Sequence, residues 1–194
     1  MSSVKANLKK GVIITFITKY SNILIELAVS AILARLLTPQ EFGVVAVIFF
    51  FLTFVNILAE SGLGPGIIQN KQLDDEDISS LFNLSLLIGF CSTVLFLSLT
   101  PVFVLIYKDK IYIPLGAYIS LIILLNAINI VPQSILKKQL KFTTIGIYNI
   151  SSNIAGGIAA VVFAYKGAGP YALISKWIFS SVLMLVLCIA KVKI

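Results

Sequence analysis

Six apolar stretches, each about twenty residues long, dominate this chain. They lie near 11–36, 43–61, 81–101, 113–132, 144–165 and 171–190. A helix needs about 20 apolar residues to cross the hydrocarbon core of a bilayer. A lipid-exposed backbone must close its own hydrogen bonds, and a helix does so within one segment. The pattern therefore predicts an all-α polytopic membrane bundle of about six transmembrane helices. Composition agrees: 59% of the 194 residues are hydrophobic and 12% charged, with mean hydropathy +1.04. A soluble domain carries about a quarter charged residues. Soluble enzymes, disordered chains and disulfide scaffolds are excluded. With short loops and no internal repeat or linker, residues 1–194 are expected to form a single bundle.

The prolines divide the segments. Pro39 is expected between spans one and two, Pro65 after span two, and Pro101 near the end of span three. Pro114 is expected to open span four and Pro132 to close it, with Pro170 opening span six. Proline is tolerated at breaks and in first turns and disfavoured inside helices. The start resembles a signal peptide only in Lys5, Lys9 and Lys10. Lys19 interrupts the apolar run and no small-residue cleavage site follows, so the first span is expected to be retained.

Basic residues orient membrane helices. With the N-terminus cytoplasmic, Lys5, Lys9, Lys10, Lys71, Lys137, Lys138, Lys141, Lys191 and Lys193 lie inside. Arg35, Lys108, Lys110 and Lys166 lie outside. The inner set is the larger, which predicts both termini on the cytoplasmic side. The net charge of +7 is thus an orientation signal, and no nucleic-acid partner is expected. The chain has no His, which excludes His-based catalysis and His metal sites. Cys91 and Cys188 sit inside apolar runs and imply no disulfide framework. No metal or cofactor is expected.

Polar groups inside the spans are the candidate functional residues. Lys19, Asn22, Glu26 and Ser30 share one face of span one, at spacings near one helical turn. Two charges near the bilayer centre cost about 5–7 kcal/mol on insertion scales. The apolar residues of the span contribute about −0.3 to −0.6 kcal/mol each, so the two effects nearly cancel. Lys19 and Glu26 are two turns apart, about 10 Å by helical rise, so their partners should come from other helices. The stripe can line a hydrated cavity for a polar substrate. It can equally form interhelical ion pairs, with Lys19 snorkelling to the membrane face.

Span two ends with Asn56 and Glu60. Glu60 can pair with Lys19 or sit at the interface. Asn126, Asn129 and Gln133 share a face of span four, as interhelical hydrogen-bond formers or as contacts for sugar hydroxyls. In span six, Lys176 lies beside Trp177; a snorkelling lysine and an anion contact in a cavity are both open. Ser152, Gly156, Ala160 and Ala164, with Gly157 adjacent, form a small-residue packing seam in span five, and Asn149 and Asn153 extend its polarity. The acidic run Asp74–Asp77 precedes span three, where it suits a positive helix N-terminus. Ser61–Gly66 is expected to break span two and turn the chain; no Lys-Ser/Thr follows, so it is not a phosphate loop.

Several segments carry a family likeness. Ala34-Arg35-Leu36-Leu37-Thr38-Pro39-Gln40-Glu41-Phe42-Gly43 resembles the "ARLL-S/T-P-x-(D/E)-(F/Y)-G" segment of bacterial polysaccharide flippases. Glu60-Ser61-Gly62-Leu63-Gly64 and Ile68-Gln69-Asn70-Lys71 resemble its acidic-x-G-L-G and I-Q-x-K stretches. Val131-Pro132-Gln133 with Lys137-Lys138-Gln139-Leu140-Lys141-Phe142 resembles its inner loop. Gly167-Ala168-Gly169-Pro170-Tyr171-Ala172-Leu173 resembles its Gly-rich outer turn. The likeness as a whole extends over about residues 8–190. The family is the O-antigen or lipopolysaccharide type of the multidrug/oligosaccharidyl-lipid/polysaccharide exporter superfamily.

The resemblance implies two six-helix lobes around a central cavity. It implies flipping of undecaprenyl-diphosphate-linked oligosaccharide across the bacterial inner membrane, by alternating access. Basic cavity residues would meet the diphosphate; Lys19 is the best match by position and Lys176 the next. Arg35 at a span end suggests loop geometry or a lipid headgroup contact. The six spans resemble the N-terminal lobe, so a second lobe is an expected partner, as a C-terminal half, another chain or a second copy. Two other functions remain open. One is a cation-coupled small-molecule exporter using Glu26. The other is a non-transporting scaffold for polysaccharide assembly acting through Lys137, Lys138 and Lys141. A membrane glycosyltransferase or polymerase is not expected, since the sequence shows no large loop to hold its chemistry.

Overall fold

The computed structural model describes residues 2–60, 63–69 and 74–192; side chains are described except at 2–10, 12, 58–60 and 75. The described residues form seven helices: α1 Ser2–Leu36, α2 Pro39–Glu60, α3 Leu63–Gln69, α4 Asp75–Tyr107, α5 Tyr112–Lys138, α6 Phe142–Tyr165 and α7 Pro170–Val192. All but α3 are long and apolar enough to cross a membrane. Large apolar side chains cover the outer surface, among them Leu24, Leu87 and Leu105. That is the surface lipid requires and water opposes.

Local chemistry sets the helix ends. The Thr38 side chain accepts a hydrogen bond from the Glu41 N–H at 3.3 Å. The Glu41 carboxylate in turn accepts from the Thr38 N–H at 2.7 Å. This is a capping box. Pro39 is the first residue of α2, where its missing N–H costs nothing. Pro39 therefore opens span two instead of lying before it, and the helix starts earlier than position 43. At α4, the Asp77 carboxylate accepts from the Asp74 N–H at 3.3 Å, so the acidic run does serve a helix start. Lys108, at φ 54°, ends α4.

Two prolines depart from expectation. Pro101 lies inside α4, which runs on to Tyr107. Pro132 lies buried inside α5, which runs on to Lys138, so it does not close span four. Each removes one i→i−4 bond. Membrane helices tolerate this because neighbouring groups satisfy the freed backbone. Next to Pro101, the Thr100 hydroxyl donates to the Phe96 carbonyl at 3.2 Å. A third departure is α3, a short helix within the expected break. It buries Ile67 against Val131 and Ile135 of α5.

The helices form two wings sharing α7. One wing packs α2, α4 and α5 against α7 around Ile48, Phe96, Leu115, Ile119, Ile123 and Ile174. The other packs α1 and α6 against the start of α7 around Leu33, Ala160, Ala164 and Ala172. The small-residue seam on α6 is buried as expected, at Ser152, Gly156, Gly157, Ala160 and Ala164. A Cβ on Gly156 would overlap the Ser180 hydroxyl and the Lys176 carbonyl of α7, and one on Gly157 would press on Val29 of α1. This seam lets α6 approach both neighbours closely.

Candidate functional site: a groove along α1 and α6

The wings meet tightly at one end of the bundle. There Leu33, Leu36 and Leu37 of the α1 end pack with Phe42, Ala164 and Ala172. The turn between α6 and α7 closes the same end. Gly169 sits there at φ 56°, and a Cβ on it would lie 2.6 Å from the Glu41 carboxylate. Toward the other end, α1 is largely uncovered on one side, with Phe16, Ile17 and Tyr20 exposed. A groove of about 610 Å³ opens there. It is lined by Lys19, Asn22 and Glu26 of α1, Asn149 of α6, and Lys137 at the end of α5.

The polar face of α1 is held from other helices. The Asn153 amide donates to Asn22 Oδ1 at 2.8 Å. Lys176 Nζ of α7 pairs with Glu26 Oε1 at 2.5 Å. The Lys176 side chain is only 6% exposed and that of Glu26 46%, so the pair runs from the interior to the groove. Lys176 also lies 5.4 Å from the Trp177 ring centroid. Lys176 therefore does not snorkel to an interface, because the half-exposed Glu26 carboxylate supplies its counter-charge within reach. Among the described residues this is the one ion pair. Lys19 and Lys137 thus bring positive charge to a groove whose carboxylate is already neutralised.

The other candidates lie elsewhere. Arg35 is exposed in the last turn of α1, beside a separate hollow that includes Tyr165. Glu60 ends α2, and its side chain lies outside the described residues. Asn126 Oδ1 accepts from the Ser181 hydroxyl at 3.1 Å. The Asn129 amide donates to the Leu125 and Ser181 carbonyls, both at 3.0 Å. The bonds to Ser181 tie α5 to α7. The same two asparagines line a second cavity of about 400 Å³ between α3 and α5, with Gln133, Ser134 and Lys137. Lys137 lines both cavities. Its place in a polar stripe 126, 129, 133, 137 is visible at helical spacing, but its membership in a basic loop conceals it.

A family model described as "Polysaccharide biosynthesis protein" matches residues 32–194. The chain belongs to this family. As a polysaccharide biosynthesis family member with six apolar helices, it is a multi-pass membrane protein. It is 28% identical to the succinoglycan biosynthesis transport protein ExoT of Rhizobium meliloti, over 79% of this chain and 31% of that protein. It is 26% identical to the teichuronic acid biosynthesis protein TuaB of Bacillus subtilis, over 89% of this chain and 36% of that protein. It is 24% identical to the lipopolysaccharide biosynthesis protein WzxC of Escherichia coli, over 69% of this chain and 27% of that protein. The chain thus spans about a third of the length of these relatives. No solved structure gives a significant match. Within this family member, the Thr38–Pro39–Gln40–Glu41 segment is a helix cap and the Gly167–Pro170 segment is the turn that meets it.

Proposed function

We propose that this chain is one lobe of an alternating-access transporter. Its substrate is a polyprenyl-diphosphate-linked oligosaccharide, moved across the bacterial inner membrane for surface polysaccharide assembly. The observation that carries the reading is the groove: Lys19 and Lys137 offer positive charge beside an extensive apolar lining. A diphosphate cannot cross hydrocarbon unaided and needs a hydrated, positively biased route, while a polyprenyl tail suits apolar walls. The excess of basic residues at the end carrying Lys137, Lys138 and Lys141 supports a cytoplasmic position for that end and for both termini. The groove would then receive substrate from the cytoplasm. One bundle cannot rock against nothing, so a second lobe completes the pathway. The role is binding and movement with no bond made or broken, so no enzyme activity belongs to it. A coupling cation at Glu26 would have to displace Lys176, which disfavours the cation-coupled exporter.

The test uses a strain lacking this gene. Lipid-linked oligosaccharide on each face of the inner membrane is measured with an impermeant sugar-modifying reagent. Lys19→Arg should restore partial transfer to the outer face and Lys19→Ala should not, with any second lobe supplied in both cases. Full transfer by Lys19→Ala would overturn the assignment of Lys19. Absence of inner-face accumulation on deletion would overturn the transport reading itself.

A further inference from the structure

The cavity between α3 and α5 is not explained by carrier binding. At about 400 Å³ it falls within the range of about 300–1,000 Å³ typical of small-molecule sites. Its wall on α5 is amide-rich: Asn126, Asn129 and Gln133, followed by Ser134. Asn129 is 3% exposed. Its amide nitrogen is used by two carbonyls, yet its Oδ1 is buried with no hydrogen-bond partner. A buried acceptor left unmade costs about 1–3 kcal/mol. That oxygen is sealed from the cavity, so the amides a ligand can meet there are those of Asn126 and Gln133.

The chemistry selects among ligands. A free anion is disfavoured, because the amide oxygens on the wall are acceptors. A metal cation is disfavoured by Lys137 and by the lack of any carboxylate among the described lining residues. A neutral polyhydroxyl compound fits, since amides and hydroxyls can give and accept hydrogen bonds in turn. Lys137 is shared with the larger groove, so the two cavities adjoin at a positive charge.

We infer that the α3/α5 cavity is a glycan subsite: it holds a sugar unit of the lipid-linked substrate, with Lys137 at the sugar–phosphate junction and the carrier in the α1/α6 groove. This rests on the transport reading above. It assigns Asn126 and Gln133 as the amide contacts for sugar hydroxyls. It also gives the short helix α3 a purpose, as the outer wall of the subsite, through Gly64, Pro65 and Ile68.

The test is equilibrium binding to the full chain in lipid nanodiscs, with its second lobe where one is required. Two probes are compared. One is the organism's own lipid-linked glycan, extracted from its membranes; the other is the same lipid after mild acid has released the glycan. Gln133→Ala removes an amide without touching the ties to α7, and Ile68→Trp fills the cavity from α3. Each should weaken binding of the glycan-bearing lipid tenfold or more and leave the stripped lipid within twofold. Lys137→Ala should weaken both. Equal effects of Gln133→Ala and Ile68→Trp on the two probes, or none on either, would overturn the subsite while leaving the transport reading intact. Failure of the unaltered chain to bind either lipid would overturn both.

Discussion

The Glu26–Lys176 pair offers a sharp test of whether the groove holds water. The two side chains are unequally buried, at 46% and 6% exposure. Glu26→Gln leaves the buried ammonium of Lys176 without its counter-charge. Removing one partner of a buried pair costs about 3–5 kcal/mol. Lys176→Met instead leaves the carboxylate, which in a hydrated groove can turn to water. The loss is then no more than a charge-assisted hydrogen bond, about 1.5–3 kcal/mol, and the methionine recovers part of it by filling the same space. The double variant Glu26→Leu with Lys176→Met removes both charges and should lie within about 1 kcal/mol of the unaltered chain. Equilibrium unfolding in mixed micelles, with increasing denaturing detergent, reads all three. The expected order of cost is Glu26→Gln, then Lys176→Met, then the double variant. If Lys176→Met costs as much as Glu26→Gln, Glu26 faces a dry environment and the hydrated groove is refuted.

Three further outcomes follow from the geometry. Thr38→Ala should cost about 0.5–2 kcal/mol by removing the cap of α2, read in the same unfolding assay; an unchanged midpoint would show that the Thr38–Glu41 bonds contribute nothing. Gly156→Val should be strongly destabilising, by about 1–3 kcal/mol or more, because it meets the α7 backbone at Lys176. Gly43→Ala, with nothing within 4 Å of its Cβ, should be neutral or stabilising by up to about 1 kcal/mol in a helix; equal effects would refute the close α6–α7 seam. In a chain with Cys91 and Cys188 replaced by serine and alanine, Asn149→Cys should react with an impermeant maleimide. Ile158→Cys, exposed on the apolar outer surface, should not, because a thiol in hydrocarbon does not ionise; equal labelling would remove the distinction between groove and lipid face.

The spans were legible because lipid imposes one simple requirement on long stretches of sequence. Their edges were less so. Pro132 reads as a stop by the rules of soluble helices, yet α5 passes through it, since burial between helices compensates for a lost backbone bond. The segment Leu63–Gln69 contains Gly64, Pro65 and Gly66 and reads as a turn; its helix is held by the burial of Ile67 against α5, a tertiary effect with no local signature. The stripe Lys19, Asn22, Glu26 was visible from spacing alone. Its partner was not: Glu26 and Lys176 are 150 residues apart, and nothing in either helix states which faces will meet. Lys137 was hidden for a different reason. Charge counting assigns it to a loop, whereas helical phase assigns it to the face of Asn126, Asn129 and Gln133.

Two of the segments that carry the family likeness lie away from both cavities, and this bears on how such a lobe would move. Thr38–Glu41 caps α2, and Gly169 lies against the Glu41 carboxylate in a backbone conformation that strains any residue with a Cβ. These two segments close one end of the bundle. The groove and the second cavity share Lys137 near the other end. Under the proposed alternating access, the closed end must open while the Lys137 end shuts. The contact between Glu41 and Gly169 is then part of a gate as well as a cap. Gly169→Ala should therefore act beyond stability: it should shift the lobe away from this closed arrangement and change how reactive a cysteine at Asn149 is. A stability loss with unchanged labelling at Asn149→Cys would show instead that this end is a fixed hinge, with all movement confined to the α1 half that borders Lys19.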